Sequence, residues 1–276
     1  MALSVNTNAG ALVALQNLNT TESQLAVAQN QVSTGLAVSD AQDNGAIFAI
    51  AQNQRSQSSA LTAVTQSLQR VQSTVNVAAS SGTTVSDLLN QLKSAALAAS
   101  DTSTNTASRQ ALNATFTSLI AQITSVVSNS SFNGINLING STNQLAALAS
   151  ADGTSKLTVG AQSLAFSGVN ITFAATTTIS ASAAGAATVL AEVNTSITNV
   201  NNALAKLGAS ANALQTQITF TGDLQDTIDT GVGNLVNANL AKESATLTAL
   251  QTKQSLGIQA LSIANSSSQS LLSLFR

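Results

Sequence analysis

Five residue types are missing from this chain: cysteine, histidine, tryptophan, tyrosine and proline. Without cysteine there is no disulfide and no thiolate nucleophile. Without histidine the commonest general base and metal ligand is gone. A Ser-His-Asp triad and a zinc site built on His or Cys are therefore excluded. No catalytic, cofactor-binding or metal-ligating set stands out, and the chain reads as a non-enzyme. The missing proline has a helical explanation. Average usage would put about 14 prolines in a chain this long. Each one in a helix interior costs roughly 3 kcal/mol, so long unbroken helices account for their absence. A chain without proline also avoids slow X-Pro isomerisation when it refolds.

Charge is nearly as scarce. Nine basic and eleven acidic residues make up 7% of the 276 residues and leave a formal net charge of −2, where an ordinary domain carries roughly 25% charged residues. That balance lacks the basic footprint of a nucleic-acid binder and the acid block of a solvating tail. The start, "MALSVNTNAG", has no basic stretch and no long apolar run after it, unlike a standard secretory signal. No apolar run approaches the roughly 18 residues expected of a membrane span; Ala46 to Ala51, "AIFAIA", is the densest. Neither a nucleic-acid partner nor a membrane span is expected.

What is present is heptad periodicity. One series runs Leu61, Val64, Leu68, Val71, Val75, Ala78, Gly82, Val85, Leu89, Leu92. Gly82, beside two serines, reads as a bend. A second series is Leu112, Phe116, Leu119, Ile123, Val126. A third runs Leu190, Val193, Ile197, Val200, Leu204, Leu207, Ala211, Leu214, Ile218, then resumes after polar Thr221 and Gln225 at Ile228, Val232 and Leu235. Toward the ends the apolar positions are Leu12, Leu15, Leu18, Leu25, Val32 and Leu36 on one side. On the other they are Leu240, Leu247, Leu250, Leu261, Leu271, Leu272, Leu274 and Phe275. A long helix with one narrow apolar seam needs a partner to cover it. The expected fold is mainly α: an elongated antiparallel coiled-coil rod of N- and C-terminal segments.

The middle differs. "SFNGINLING" holds Asn133-Gly134 and Asn139-Gly140, both hairpin signals. "KLTVGAQSLAFSGVNITF" alternates Leu157, Val159, Leu164, Phe166, Val169, Ile171 and Phe173 and reads as a hairpin or meander. "ASAAGAA", Ala181 to Ala187, reads as a flexible joint before the long C-terminal helix.

The scattered charges have plain explanations. Asp223, Asp226 and Asp229 share a helix face, but calcium wants about 6–8 oxygen ligands from a shaped loop, so a solvated face is the reading. Asp40 and Asp43 read as helix caps before "GAIFAIA" rather than a catalytic carboxylate pair. Arg55, Arg70 and Arg109 read as surface ion-pair formers.

Several stretches resemble the bacterial flagellins. These are "NTNAGALVALQNL" and "STGLAVSDAQDNGA" near the start, "SSFNGINLING" in the middle, and the last 40 residues, ending in a Leu-rich tip and Arg. A short centre and few charges are similar to the alphaproteobacterial members. The resemblance implies a structural subunit that polymerises into the helical filament of the flagellum. It also implies export through the flagellar type III channel without a cleaved signal, and an extracellular location. Implied partners are further copies of the chain, the export machinery and a chaperone, and the cap and junction proteins. A hook–filament junction protein of the same family is the alternative.

The resemblance divides the chain into residues 1–43 with 235–276 as an inner core, unordered in the monomer; 44–140 with 186–234 as a helical rod; and 141–185 as a small outer β insert. The terminal apolar residues given above are then the assembly interface. Surface O-glycosylation of the insert is implied too, at no assigned position; triplets such as Asn113-Ala114-Thr115 are frequent by composition alone. Family members often carry Arg where this chain has Gln31, Ala37, Asn53, Val232 and Asn234, and an acidic-tyrosine element where it has Asn237 to Ala241. Contacts between copies should therefore rest on apolar and amide packing. In the innate-receptor segment of many flagellins an Arg stands where this chain has Gln91, between Leu89 and Lys93. Weak or absent receptor recognition is expected.

Overall fold

The computed structural model describes residues 7–273, and side chains through residue 266. In order the elements are α1 (Ala9–Thr34), α2 (Ala41–Ser100), α3 (Thr106–Asn129), β1 (Gln144–Leu148), β2 (Lys156–Gly160), α4 (Ala183–Val236) and α5 (Leu240–Ser273). The mainly α class with a small central hairpin is the one expected. Residues 57–226 form one compact unit; the stretches through Ser56 and from Thr227 form the other.

The 57–226 unit is built on the predicted seams. Every position from Leu61 to Leu92 in the first heptad series is buried. In α4, Val193, Val200, Leu207 and Leu214 are buried, and the alternate heptad positions are half-buried against them. α2 and α4 run antiparallel in fixed register. Gln72 Nε2 donates to Gln215 Oε1 at 2.9 Å, Ser86 Oγ to Asn201 Oδ1 at 3.3 Å, and Gln225 Nε2 to Thr62 Oγ1 at 3.2 Å. Each step up α2 is matched by an equal step down α4. α3 adds Phe116, Leu119, Ile120, Ile123 and Val127 to the same core. By length and hydropathy α3 is a candidate membrane span, with an 18-residue window of mean hydropathy 1.2. Its apolar stripe is instead used inside this core.

Gly82 does not bend α2, which runs through it. The glycine is a close-packing site: a Cβ there would lie 2.7 Å from Leu204 Cδ2. The helix breaks near its start instead, at Asn44, with φ −161° and ψ 99°.

The central segment also departs from the sequence reading. β1 and β2 pair antiparallel, Gln144 opposite Gly160 and Leu148 opposite Lys156. Among the described residues no strand follows β2. From Ala161 to Phe173 the chain is irregular, because its apolar groups are drawn singly into the helical core. Leu164, Ile171, Phe173 and Ile179 are buried there, and Phe173 meets Phe166 edge-on at 5.4 Å and Phe116 at 6.4 Å. Val169 is left 85% exposed. Ser67 Oγ accepts the Leu148 N–H at 3.1 Å and Gln217 Nε2 donates to the Ala149 carbonyl at 3.3 Å, fastening the hairpin to α2 and α4.

"ASAAGAA" is no joint. Ser182 caps α4, its Oγ accepting the Gly185 N–H at 3.0 Å, and Ala186 is fully buried. Asn133-Gly134 does make a two-residue hairpin, with φ of +50° and +77° and paired hydrogen bonds of 3.0 Å between Phe132 and Ile135. Asn139-Gly140 does not; Asn139 Oδ1 instead accepts the Ser141 N–H and hydroxyl.

Arg109 is no surface ion-pair former. It is 8% exposed and closes the α2–α3 turn. Nε donates to the Ala99 carbonyl at 3.0 Å and Nη2 to those of Thr104 at 2.9 Å and Asp101 at 3.4 Å. The Ala99 carbonyl is one that the last turn of α2 leaves unpaired, and the other two belong to the turn itself. Asn136, also buried, does the same for α3 through Val127 and holds the next turn by accepting the Ile138 and Asn139 N–H groups.

Candidate assembly surface

The second unit joins α1 and α5 with the first turns of α2 and the last of α4. Asn8 caps α1, its Oδ1 accepting the Ala11 N–H. Gly35, at φ +73°, ends it. The chain past Gly35 is pinned to the end of α4: Ala37 N–H donates to the Val236 carbonyl at 2.7 Å, and Ala238 N–H to the Gly35 carbonyl at 2.9 Å. Val38, Ala51, Val232 and Val236 form a small buried cluster at this junction. Val236 takes the seam place assigned to Leu235, which is exposed.

Asp40 and Asp43 are caps, as expected. Asp40 Oδ1 accepts the Gln42 and Asp43 N–H groups. Asp43 Oδ2 reaches back to the Ser39 N–H at 2.8 Å, the Ser39 hydroxyl at 2.9 Å and the Asp40 N–H at 3.2 Å. The Ser39 N–H, first, then its hydroxyl, hold the Asp43 carboxyl below its ordinary range. Asn44 then caps the helix a second time, accepting the Ile47 N–H at 3.1 Å.

α1 and α5 run antiparallel. Asn8 Nδ2 donates to the Ala264 carbonyl at 2.7 Å, and Gln254 Nε2 reaches Glu22 Oε1 at 3.5 Å. The covered stripe of α1 is Ala11, Ala14, Leu18, Thr21, Leu25, Ala28 and Val32, and only Thr21 and Ala28 are fully buried. Four of these seven are Ala or Thr, and several large apolar residues are left outside. Leu12 is 58% exposed, Leu256 59% and Ile263 69%, with Val13, Leu15, Val27, Leu240 and Ile258 also exposed. A groove of about 550 Å³ lined by Val13, Leu18, Leu256 and Ala260 runs between the pair.

Of the residues assigned to assembly, Leu12, Leu15 and Leu240 are exposed. Leu18, Leu25, Val32, Leu36, Leu247, Leu250 and Leu261 are half-buried. The side chains of Leu271 and Leu272, and all of Leu274 and Phe275, lie outside what the structure describes. Val13, Val27, Leu256, Ile258 and Ile263 were not singled out. Their signal was present: apolar residues lying just off a 3-4 stripe. In the receptor segment, Leu89 is fully buried and Gln91 and Lys93 are exposed. Asp223, Asp226 and Asp229 are all exposed. Among the described residues no three His, Cys, Asp or Glu stand together as a metal would need.

Two adjoining uncovered apolar helices, with no convergent polar chemistry, suit a surface that another protein covers. Relatives agree in kind. The bacterial flagellin N-terminal helical region matches residues 5–143, and the bacterial flagellin C-terminal helical region matches residues 190–275. The chain is 52% identical to flagellin FljO of Caulobacter vibrioides over the full length of both. It is 41% identical to flagellin FljJ of the same organism, covering 100% of this chain and 99% of that one. It is 37% identical to a flagellin of Brucella melitensis over 99% of each. The chain belongs to the bacterial flagellin family, a structural subunit of the extracellular flagellar filament.

Proposed function

We propose that α1 and α5 are the part of the subunit that other copies cover in the filament. Residues 1–43 and 235–276 would then be unordered in a dilute monomer and fold as they join neighbours. The observation that carries this is the thin packing of the pair. Leu18, Leu25 and Val32 on the covered stripe of α1 are only half-buried between Ala and Thr, and Leu12, Leu256 and Ile263 face out. Ordering each residue costs roughly 1–2 kcal/mol of backbone entropy, and the little apolar area hidden between α1 and α5 does not offset that. Burying an exposed Leu or Ile against a neighbour returns about 1.5–3 kcal/mol. A head-to-tail contact that does not close on itself propagates as a helix. The apolar tip, Leu271, Leu272, Leu274 and Phe275, joins the same interface.

In this reading residues 44–140 with 186–234 are a rod that folds before assembly, and 141–185 face outward. The monomer leaves the cell unfolded through the flagellar export channel. It meets a chaperone, the cap and the junction proteins as its partners besides its own copies. Its role is mechanical, with no catalysis of its own. Gln91 and Lys93, exposed on α2, present no arginine to the innate receptor for flagellin, so recognition is weak; Leu89, in the core, is out of reach while the unit is folded.

The test removes about 40 residues from each end. The trimmed chain should stay soluble and helical by circular dichroism and form no fibres by electron microscopy after seeding, where the full chain does. Fibres from the trimmed chain would sink the proposal. A receptor reporter assay with purified monomer tests the second point; a response equal to that of an Arg-bearing flagellin overturns it.

A further inference from the structure

The fold treats the two Asn-Gly pairs of the central segment in opposite ways; the third, Asn44-Gly45, has its Asn44 Oδ1 engaged by the Ile47 N–H at 3.1 Å. Asn133 and Gly134 stand at an exposed hairpin tip, both with positive φ. Among the described residues the Asn133 carboxamide and the Gly134 N–H make no hydrogen bond, and a Cβ on Gly134 would meet nothing within 4 Å. Asn139 is half-buried, and its Oδ1 is engaged twice, by the Ser141 N–H at 2.9 Å and hydroxyl at 2.6 Å. Over Gly140 there is no such room, since a Cβ there would lie 3.0 Å from Ser163 Oγ.

We propose that Asn133 is a spontaneous deamidation site, left open by the fold while Asn139 is held closed. Glycine after asparagine offers an unshielded and conformationally free backbone nitrogen. Hydroxide takes the Gly134 N–H proton and the nitrogen attacks Asn133 Cγ. A cyclic succinimide forms and the amide leaves as ammonia. Water then opens the ring at either carbonyl, giving aspartate or isoaspartate. At Asn139 the same closure must first break both hydrogen bonds to Ser141 and turn the carboxamide within a packed turn.

The products differ in consequence. Asn133 lines a cavity of about 200 Å³ with Arg70, Ser67, Phe132 and Leu145. Aspartate would add a carboxylate to a cavity that Arg70 also lines, a new charge in a chain with only nine basic and eleven acidic residues. Isoaspartate lengthens the backbone inside a two-residue turn and breaks the Phe132–Ile135 pairing. An extracellular polymer has no means to replace one subunit in its middle, so such changes would accumulate with the age of the filament.

The test incubates the full chain at mildly alkaline pH, folded and in urea. Peptide mass mapping follows, with isoaspartyl methyltransferase labelling as a second readout. In urea both asparagines should convert at similar rates. In the folded chain Asn133 should convert faster than Asn139 by about tenfold or more, the cost of breaking two hydrogen bonds. Equal folded rates, or an Asn133 that converts in urea and stays intact when folded, would overturn the proposal.

Discussion

A side chain on Gly82 would collide with Leu204: the first carbon alone would stand 2.7 Å from Leu204 Cδ2 and 3.6 Å from its Cγ. α4 supplies the side chain that packs over the glycine of α2 there. Gly82→Ile should therefore destabilise the 57–226 unit by about 1–3 kcal/mol through overpacking. Gly82→Ala should stay within about 1 kcal/mol of the parent, because better helix propensity offsets the displacement of Leu204's mobile end. Urea unfolding of both variants decides.

Arg109→Met removes donors to three carbonyls at the α2–α3 turn. Bonds from charged donors are worth about 1.5–3 kcal/mol each, so a loss of at least that size is expected. Arg109→Lys should recover only part of it, since one ammonium does not reproduce the guanidinium fork. Chemical denaturation, with the α3 amides followed by hydrogen exchange, is the measurement.

Asp43 makes a pH prediction. Its carboxyl is held low in the folded chain, first by the Ser39 N–H. The stabilisation is thus fully present above the ordinary aspartate value of about 3.9. It is lost as pH falls through the lower folded value. In the filament, where residues through Asp43 are ordered, the Ser39 amide resonance should titrate with an apparent pKa below about 3.9, and Asp43→Ala should abolish that titration.

Leu256→Ser separates assembly from folding. Leu256 is 59% exposed in the single chain, so monomer stability should change by less than about 0.5 kcal/mol. If a neighbour buries it, about 1.5–3 kcal/mol is lost per subunit contact. That raises the critical concentration for polymerisation by roughly 10- to 150-fold. Sedimentation of seeded filaments at graded subunit concentrations measures the shift. Leu214→Ser, in the core, should behave the other way and fail first as a monomer.

The long seams were legible because a heptad repeat of Leu and Val admits one arrangement at that length. Leu61 to Leu92 and Leu190 to Ile218 fell where the spacing put them. Glycine was ambiguous: at Gly82 a residue that signals a bend in isolation serves a tight helix crossing. The stretch after β2 alternates like a strand, yet Leu164, Ile171 and Phe173 are drawn one by one into a core that local pattern does not record. The terminal surface was half legible. Following leucines alone missed that the covered stripe of α5 passes through Gln254, Gly257 and Ala264, and so missed Leu256 and Ile263 outside it. Arg109 could not be read as a cap, because the carbonyls it serves exist only once the turn has formed.

Thr20, Thr21 and Thr34 of α1, and Thr246, Thr248 and Thr252 of α5, each turn their hydroxyl back onto the carbonyl four residues earlier, at 2.7–3.0 Å. Once these helices form, the hydroxyls have partners within their own chain and need none from a neighbour. A helix studded with lysine and glutamate would have to strip tightly held water from every charge as a second subunit closed over it. Here the hydroxyls are satisfied within their own helices as these fold at the joint, so the toll of drying the surface is small. Cohesion of the polymer should accordingly be nearly indifferent to sodium chloride and strengthened by sulfate, which is excluded from protein surfaces.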